Sequence, residues 1–546
     1  MCGIWALIDK NSNNDTSKYL ADFWKLKHRG PENSYFQTFS QTYVGFHRLP
    51  IMDNSFKSNQ PYHIDDVNRT IVFICNGEIY NYQELDKKYN LNVGTSDCLV
   101  IPKLYIQFSC ENLDDFAMMF QSEIKGEFAF VLLEYDSMKQ LTRYIVGRDM
   151  VGVRPLYTVV HNNMIDMYSS EIKGMMNYDG QVVEFPPGTI RVVSKSIFDY
   201  DVRHINFAET LYCSDLNKTI ESDEDLEYVT KNIRNAVTNC IRRRLQADRP
   251  IAFLLSGGVD SSLIASISAK ILGKQIRTFC CGMEGSTDMK YARMVADYIG
   301  SNHTEVYFTE AEGLAAIDDV VRTTETWDTT TIRASVGQYL VCKYISEHTD
   351  CKVVMVGEGP DEVCSSYLFN YYAPDADELN MAAKEYVKNI HLFDGRRADR
   401  CIARWGLEGR VAFLDPEFIS TYWDIDPTYR LPITYNIEKY LLRKAFDGFG
   451  LLPYDVLWRK KEAFSDGVSS MERSWYKMIK EHIEKVHCDD ILKMTEAKYY
   501  KQLFIDHFGE KRLDIIPHYW QPKWDKDGSE VSEYVDPSAR TLSVYQ

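Results

Sequence analysis

The stretch IAFLLSGGVDSSLIASISAKIL, residues 251–272, decides the fold of the C-terminal part of this chain. Its first five residues are apolar and predict a buried strand, and the apolar residues that recur after Ser262 predict a helix. Glycines and serines lie at the junction of the two elements, which favours a tight turn from strand into helix. A strand, a glycine-containing turn and a helix in this order are typical of a doubly wound α/β fold.

The turn itself, SGGVDSS at residues 256–262, has the composition of an anion-binding loop. Glycine lets backbone N–H groups turn inward, and the N-terminus of the next helix adds its positive dipole, so a pyrophosphate fits the loop. The lysine of a Walker A loop is absent, so transfer of a γ-phosphate is not the expected chemistry. Asp260 can hold Mg²⁺ through hard oxygen ligands. An ordinary Ser/Gly turn capped by Asp260 is the alternative interpretation.

Predicted strands alternate with predicted helices from this stretch onward, which implies crossover connections and a parallel sheet. The last of these strands is followed by Gly357-Glu358-Gly359-Pro360-Asp361-Glu362, at the end of the sheet where open α/β folds bind ligands. Three carboxylates there repel one another unless Mg²⁺, a substrate amine or ammonia joins them, and an acidic first helical turn is the alternative. The predicted strands span 251–255, 275–281, 305–308 and 352–356, and the predicted helices span 262–272 and 289–299.

The N-terminal part has a different pattern, with short β-type runs between turns and a helical segment around 98–108, which predicts an α+β domain. The pattern changes near residue 210, and an acidic run at 221–227 is interpreted as the solvated first turn of a helix. We therefore expect a first domain at 1–209 and a second at 210–546. The predicted strands of the first domain span 42–46, 70–75, 128–134, 141–146, 156–160 and 188–193.

Length and composition limit the class of protein. A chain of 546 residues exceeds the size of one hydrophobic core, which agrees with two domains. A formal net charge of −17 argues against a nucleic-acid partner, because phosphate contacts need a basic surface. No apolar run approaches the roughly 18 residues of a membrane helix, so no membrane partner is expected. Thirteen cysteines without a CxxC pair suit reduced thiols, and we expect a cytoplasmic protein.

The sequence begins Met1-Cys2-Gly3-Ile4, and removal of Met1 would make Cys2 the first residue. A free α-amino group titrates at a pKa of about 8 and can accept the proton of its own thiol, whose usual pKa is about 8.5. Nucleophile and base then come from one residue. Cysteine at this position has little specificity alone, and an ordinary buried thiol is the alternative.

Other residues of the first domain suit a site that hydrolyses an amide. Arg48 can bind a substrate carboxylate through its two-pronged donor set, and Glu78 and Asp97 can hold an α-ammonium group. The amide of Asn76 and the N–H of Gly77 can face a developing oxyanion, where one well-placed donor contributes about 3 to 4 kcal/mol.

Two basic groups lie further along the chain. They are Arg396, Arg397, Arg400 and Arg404, and the segment Trp458-Arg459-Lys460-Lys461. Taken by themselves, such groups are usually solvated surface, and this is the expectation for them. They matter because an ATP site needs cations from somewhere in the chain.

These motifs together resemble a known family. The turn at 256–262 resembles the PP-loop of ATP pyrophosphatases, which cleave ATP between the α and β phosphates. The first domain resembles the class II glutamine amidotransferases, which are N-terminal-nucleophile hydrolases with an αββα sandwich. The whole chain is similar to the glutamine-dependent asparagine synthetases. The similarity is carried by MCGI, RGP, HRL, NGEIYN, SDC, SGGVDSS, GEGPDE, RADR, GLEGRVAFLD, LWRKKEAFSDGV and DPSARTLSVY.

The resemblance implies ATP-dependent synthesis of asparagine from aspartate, with ammonia released from glutamine. It implies a Cys2 thioester, a β-aspartyl-AMP intermediate and Mg²⁺ as a cofactor, and it is compatible with a homodimer. The implied catalytic residues are Cys2, Asn76, Gly77 and Glu358, and the implied metal ligands are Asp260 and Asp361. The implied glutamine-binding residues are Arg48, Leu49, Pro50, Ile51, Met52, Asn76, Gly77, Glu78 and Asp97. The implied ATP-binding residues are Leu255, Ser256, Gly257, Gly258, Asp260, Ser261, Met283, Val356, Gly357 and Lys461.

The chain departs from the family pattern in the second domain. The family usually reads SGEGSDE with Gly-Gly soon after, whereas this chain has Val356, Pro360 and then Cys364-Ser365-Ser366. Pro360 lacks an N–H and has a fixed φ, so adenylation would be slowed or arranged differently if the family uses that N–H. Leu99 stands where an acidic residue is common. The alternative function is a relative that keeps glutaminase activity or regulatory ligand binding with impaired adenylation, and an enzyme acting on tRNA disagrees with the acidic charge.

Overall fold

The structure is a computed structural model of the chain. It describes residues 1–10, 16–39, 42–108, 113–160, 165–196, 200–213, 216–461, 467–470, 473–486 and 494–531. The motif DPSARTLSVY and residues 462–466 of LWRKKEAFSDGV lie outside the described residues. Across the ranges just given, no helix combines the length and the apolar composition needed to cross a membrane.

The chain divides into two compact units, each with its own sheets. Unit 1 comprises Met1–Tyr212, Gln246–Arg249 and Ala403–Glu408. Unit 2 comprises Cys213–Leu245, Pro250–Ile402 and Gly409–Gln546.

Unit 1 contains two six-stranded antiparallel sheets. The first sheet has the order β10-β8-β9-β1-β3-β2, and the second has the order β12-β11-β7-β6-β5-β4. The strands are β1 Gly3–Asp9, β2 Asn33–Phe39, β3 Thr42–Arg48, β4 Tyr62–Asp66, β5 Arg69–Ile79, β6 Gly126–Asp136, β7 Leu141–Arg148, β8 Tyr157–Val159, β9 Ile165–Ser169, β10 Val182–Glu184, β11 Thr189–Lys195 and β12 Tyr200–Asn206. The helices are α1 Ser17–Trp24, α2 Tyr82–Tyr89, α3 Val100–Phe108, α4 Leu113–Ser122 and α5 Glu209–Tyr212.

The alternation of side chains along the strands builds four layers. Ile4 of β1 and Val72 of β5 belong to one buried cluster, so the two sheets pack face to face. The opposite face of the second sheet packs on α3 and α4, whose Leu104 and Phe116 share a cluster with Phe73. The helix α1 covers the first sheet, since the ring of its Phe23 lies 6.3 Å from the ring of Trp5. This is the αββα sandwich expected from the sequence.

Unit 2 is built on a five-stranded sheet with the order β15-β14-β13-β16-β17. The strand β13 pairs in parallel with β14 and with β16, and β14 pairs in parallel with β15. The strands are β13 Ile251–Leu254, β14 Arg277–Gly282, β15 Asn302–Tyr307, β16 Val353–Val356 and β17 Glu408–Val411. The described helices are α6 Asp223–Arg244, α7 Val259–Leu272, α8 Thr287–Ile299, α9 Glu310–Thr324, α10 Thr329–His348, α11 Pro360–Val363, α12 Ala376–Asn389, α13 Asp394–Ala403, α14 Pro416–Trp423, α15 Pro432–Tyr435, α16 Tyr440–Phe446, α17 Tyr454–Leu457, α18 Trp475–Val486 and α19 Glu496–Phe508.

The predicted elements correspond to observed ones in both units. Each strand predicted from the sequence is a strand of the structure, with ends that differ by a few residues. The acidic run lies where α6 begins, with Asp223, Glu224 and Asp225 in its first turn. The parallel sheet of unit 2 confirms the expected α/β class.

Candidate active sites

The turn that follows β13 leads directly into α7 at one end of the sheet. The Oγ atoms of Ser256 and Ser261 lie 3.1 Å apart across the turn, and the N–H of Ser256 donates to Ser261 Oγ at 3.2 Å. Gly258 precedes α7 and has no side chain that could cap the helix. The first N–H groups of α7 therefore face the site at the positive end of the helix dipole, where an anion binds well.

Gly257 is required by the geometry of this turn. Its φ is +74°, and a Cβ at this position would lie 2.4 Å from Tyr291 Cβ. We predict that Gly257→Ala displaces the turn and weakens ATP binding at least about tenfold, or about 1.4 kcal/mol. Isothermal titration of the full chain with ATP measures the change.

The matched control for this substitution is Gly273→Ala at the end of α7. Gly273 has a φ of +60°, but open space surrounds the position of its Cβ. The Gly273→Ala variant therefore reproduces the backbone strain of Gly257→Ala without the clash with Tyr291. Its affinity for ATP should stay within about twofold of wild type. Equal losses in the two variants would contradict the importance of close packing at the turn.

The turn forms one wall of a cleft at the carboxyl ends of β13 and β16. The chain order of the strands reverses between these two neighbours, and such switch points are where open α/β sheets bind ligands. All the predicted ATP-binding residues except Gly257 and Met283 line the cleft. Met283 is buried, and its N–H donates to Val468 O at 2.8 Å. The cationic lining residues are Arg397, Lys439, Arg443, Arg459, Lys460 and Lys461.

Two lysines and two aspartates form an ionic cluster in this cleft. Lys439 Nζ lies 2.5 Å from Asp260 Oδ2 and 2.5 Å from Asp361 Oδ1. Lys461 Nζ lies 2.6 Å from Asp361 Oδ2. Burial raises the pKa of Asp260 although Lys439 opposes the change. Burial would also raise the pKa of Asp361. The positive charges of Lys439 and Lys461 outweigh this effect and hold the pKa of the carboxyl well below its usual range.

Glu358 lines the same cleft and is held by two donors. Its Oε1 accepts from Arg397 Nη1 at 3.0 Å and from Gln338 Nε2 at 3.1 Å. Its Oε2 is buried and has no hydrogen-bond partner in the described part of the chain. Burial raises the pKa of Glu358, and Arg397 opposes that shift. The carboxylate thus keeps one oxygen available to accept a proton from a substrate.

The expectation of a solvated surface was wrong for three of the arginines of α13. Arg396, Arg397 and Arg400 expose only 3%, 7% and 1% of their surface. Carboxylates make this burial tolerable, because Arg400 Nη1 lies 2.6 Å from Asp399 Oδ2 and Arg397 Nη2 lies 2.6 Å from Asp394 Oδ1. In the second basic group, the expectation holds for Lys460, which is exposed, but it was wrong for Arg459 and Lys461, whose side chains are each only 12% exposed.

The departures from the family pattern have local structural consequences. Pro360 is the first residue of α11. At this position an N–H group would make no hydrogen bond within the helix, so proline is tolerated. Ser365 is buried with a φ of +52°, a conformation that favours glycine. The hydroxyl of Ser366 donates to Asp361 Oδ1. The replacements therefore add a hydrogen bond to a carboxylate of the cleft.

The second candidate site lies at the start of unit 1. Cys2 is partly buried, its Sγ lies 3.7 Å from Leu49 O, and its carbonyl accepts from Arg29 Nε at 3.0 Å. Burial raises the pKa of the Cys2 thiol to about 11 in the chain that carries Met1. Burial likewise lowers the pKa of the Met1 α-amino group to about 5. The thiol is thus un-ionised at neutral pH and needs a base to become a nucleophile.

Arg48 organises the loop beside Cys2. Its Nη1 donates to Ser55 O at 2.8 Å and to Asn59 Oδ1 at 2.5 Å, and its Nη2 donates to the carbonyl of Asp53. These bonds place the segment 49–52, in which Leu49, Pro50 and Ile51 are buried and Met52 is partly buried. The donors expected to bind a substrate carboxylate are therefore engaged with the loop in this structure.

Asn76, Gly77 and Asp97 gather around the end of β5. Asn76 Nδ2 is buried and has no hydrogen-bond partner among the residues that the structure describes. A Cβ at Gly77 would lie 2.4 Å from Glu127 O, so only glycine fits beside β6. Asp97 Oδ2 accepts from Ile79 N at 2.8 Å, and burial raises the pKa of Asp97 to about 6. Glu78 is buried in the same strand.

The residues predicted for these sites belong to short sequence motifs. Three further residues that line the cleft of unit 2 belong to no such motif. Lys439, Gln338 and Arg443 lie in helical or irregular segments without a recognisable motif. Only the pairing of Lys439 with two motif aspartates reveals it as a site residue.

The fold and the two sites define an amidotransferase domain of the N-terminal-nucleophile type and a parallel-sheet PP-loop domain on one chain. Models of protein families agree with this class. The glutamine amidotransferase domain model matches residues 1–200, and the asparagine synthase model matches 232–386 and 373–532. The chain belongs to the family of glutamine-hydrolysing asparagine synthetases, ligases that make asparagine from aspartate with ATP and glutamine.

Similarity to full-length relatives supports the assignment of the chain to this family. The glutamine-hydrolysing asparagine synthetase of Gallus gallus is 38% identical over 582 aligned residues, which cover 100% of this chain and 99% of the relative. That of Homo sapiens is 36% identical over the same coverage. The solved glutamine phosphoribosylpyrophosphate amidotransferase from B. subtilis is 14% identical with a TM-score of 0.31, and the match covers 56% of this chain and 81% of that one.

Proposed function

We propose that the chain makes asparagine in two half-reactions, one in residues 1–209 and one in residues 210–546. In the first, the Cys2 thiol attacks the side-chain amide of glutamine, releases ammonia and forms a thioester, which water hydrolyses to glutamate. In the second, the side-chain carboxylate of aspartate attacks the α-phosphate of ATP, forming β-aspartyl-AMP and releasing pyrophosphate. Ammonia then attacks the acyl carbon and displaces AMP.

One observation carries the second half of this proposal. An anion-binding turn, six cationic side chains and Glu358 Oε2, which lacks a hydrogen-bond partner among the described residues, share one cleft. The turn at 256–261 and Lys461 would hold the phosphates, while the apolar side chains of Leu255 and Val356 would contact the nucleotide. Glu358 is then placed to accept a proton as ammonia attacks the adenylate.

Asp260 and Asp361 suit a Mg²⁺ ion that accompanies the phosphates. Asp260 Oδ1 is buried without a hydrogen-bond partner among the described residues, and Mg²⁺ prefers carboxylate oxygens together with phosphate oxygens. When bound, the ion would neutralise charge on the released pyrophosphate. Lys461 would hold Asp361 in place beside it.

The residues of unit 1 have complementary roles in glutamine hydrolysis. Asn76 Nδ2, for which the described part of the chain offers no hydrogen-bond partner, would stabilise with the N–H of Gly77 the oxyanion that forms when the Cys2 thiol attacks. Asp97 and Glu78 would bind the α-ammonium group of glutamine, and Arg48 would share its donors with the α-carboxylate. After removal of Met1, the free α-amino group of Cys2 would accept the thiol proton.

A product assay with glutamine, aspartate and Mg-ATP tests both halves together. We expect AMP and pyrophosphate in equal amounts with asparagine, and no ATP cleavage without aspartate. ADP and phosphate as the main products would contradict the PP-loop chemistry. Glutamate release without any AMP would instead favour the alternative of a glutaminase or regulatory relative whose adenylation is impaired by Pro360.

Glutamine binding should depend on the ionisation of Asp97. Its carboxyl group titrates at a pKa of about 6 because it is buried, and below that pH it is protonated and cannot pair with an ammonium group. We expect the KM for glutamine to rise as the pH falls through 6, by up to about tenfold per unit. Glutamate release between pH 5 and 8 measures the profile. Asp97→Asn should raise the KM and flatten this rise, and an unchanged profile would contradict the role of Asp97.

The cellular location, the oligomeric state and the partners of the enzyme are also part of what we propose. We place it in the cytoplasm, where reduced thiols persist, and expect a homodimer without a nucleic-acid or membrane partner. The net charge of −17 supports the lack of a nucleic-acid partner. Sedimentation equilibrium and cell fractionation test these statements.

A further inference from the structure

Lys439 occupies the space between the two carboxylates expected to hold a metal ion. Its Nζ lies 2.5 Å from one oxygen of Asp260 and 2.5 Å from one oxygen of Asp361. The side chain of Lys439 is only 3% exposed. A buried ammonium between two carboxylates fills the place that a divalent cation would take.

The backbone around Lys439 is shaped to deliver this side chain. Lys439 has a φ of +58°, which costs a non-glycine residue roughly 1 kcal/mol. The preceding Glu438 is fixed on both sides, because its Oε1 accepts from the N–H of Lys461 at 2.5 Å and from Arg443 Nη2 at 3.0 Å. The buried carboxylate of Glu438 thus links the backbone of Lys461 to the segment that carries Lys439. These hydrogen bonds fix the positions of both lysines.

The charges of the cluster cancel. Asp260 and Asp361 contribute two negative charges, while Lys439 and Lys461 contribute two positive charges. Adding a divalent cation alone would leave two buried positive charges without a counterion, which is unfavourable in a poorly solvated site. A polyphosphate brings negative charge and gives the ammonium groups a new partner. The cluster therefore favours arrival of the metal ion together with the nucleotide over arrival of the metal ion alone.

We propose that Lys439 is a built-in substitute for the metal ion, which keeps Mg²⁺ out of the cleft until a nucleotide draws the ammonium group onto its phosphates. The inference rests on the proposed nucleotide and metal site and adds an order of events to it. Lys439 keeps the aspartates in position in the nucleotide-free enzyme and makes the binding of metal and nucleotide strongly cooperative.

The test is a titration of the full chain with Mn²⁺ alone, followed by electron paramagnetic resonance, without nucleotide. Wild type should bind Mn²⁺ only weakly in this cleft, and Lys439→Gln should lower the Kd at least tenfold. Adding Asp361→Asn to Lys439→Gln should cancel the gain, which locates the ion. The control is Lys444→Gln, because Lys444 lies in α16 near the cluster but pairs with Asp447 at 3.2 Å outside it.

Each outcome decides the proposal. A Kd for Lys439→Gln within threefold of wild type, or an equal gain in Lys444→Gln, would overturn it. If Lys439→Gln does not fold, Lys461→Gln replaces it and should give a smaller gain, because Lys461 Nζ lies 2.6 Å from Asp361, whereas Lys439 Nζ lies 2.5 Å from both aspartates. Wild type that binds Mn²⁺ equally well with and without a non-hydrolysable ATP analogue would also overturn it. These titrations need no turnover, so failure of the proposed reaction would register separately, as missing AMP in the product assay.

Discussion

Cys2→Ala is expected to abolish glutamine-dependent asparagine formation and to leave ammonium-dependent formation within about twofold of wild type. The thiol is proposed to form a covalent thioester, and alanine has no atom that can replace it, so the loss should be on the order of 10⁴ or more. Ammonium supplied in the buffer needs no thioester, because it reacts at the adenylate in the other half of the chain. Asparagine formation measured with each nitrogen source separates the two activities.

A chain without a free α-amino group on Cys2 is the second test of this mechanism. A chain that retains Met1, or that carries an N-terminal extension, has the thiol but lacks the base, and the thiol of the Met1-containing chain has a pKa of about 11. Such a chain should also lose glutamine-dependent synthesis and keep ammonium-dependent synthesis. Full glutamine use by an extended chain would show that the base is another group and would contradict the N-terminal-nucleophile mechanism.

The second large effect is expected at Glu358. Glu358→Gln keeps the shape of the side chain and its acceptor for Arg397 but removes the ability to take a proton at Oε2. Proton transfer by a positioned side chain usually contributes about 10² to 10⁴ in rate, and we expect a loss of that size in synthesis with either nitrogen source. Asparagine formation with ammonium gives the rate without any contribution from unit 1.

Glutamine hydrolysis is the internal control for Glu358→Gln. The residues proposed to catalyse that reaction lie in unit 1, so glutamate release should remain close to wild type. Equal loss of both activities would indicate misfolding, and unimpaired synthesis would remove Glu358 from the mechanism. Glu358→Asp, which keeps the charge but shortens the side chain, should recover part of the activity if proton acceptance is what matters.

The sequence was sufficient for the fold because short-range patterns encode it. The apolar run at 251–255 favours a buried strand, and the apolar residues that recur after Ser262 favour a helix that is largely buried. Alternation of such elements leads to a parallel sheet, and the short alternating runs before residue 200 lead to antiparallel sheets. The ends of the elements were less accurate, since capping and tertiary packing set them.

The motif residues of the sites were also predictable, because each motif meets a local requirement. Gly257 has a positive φ, and Gly77 has no room for a Cβ, so both requirements are already expressed as glycine. The motifs that contain Asp260 and Glu358 begin where the predicted strands 251–255 and 352–356 end, and the carboxyl ends of parallel strands meet at one edge of a sheet. The presence of these motif residues in one cleft therefore followed from the order of motifs along the chain.

The tertiary structure alone decided how the charged groups pair. Arg397 was expected at the surface, yet it binds Glu358, and Lys439 lies between Asp260 and Asp361, which are 179 and 78 residues away along the chain. The sequence determined which residues carry charge and which strands end in the cleft. It did not determine their partners, because an ion pair depends on distance in space and on burial, and both are set only when segments far apart in the chain pack together.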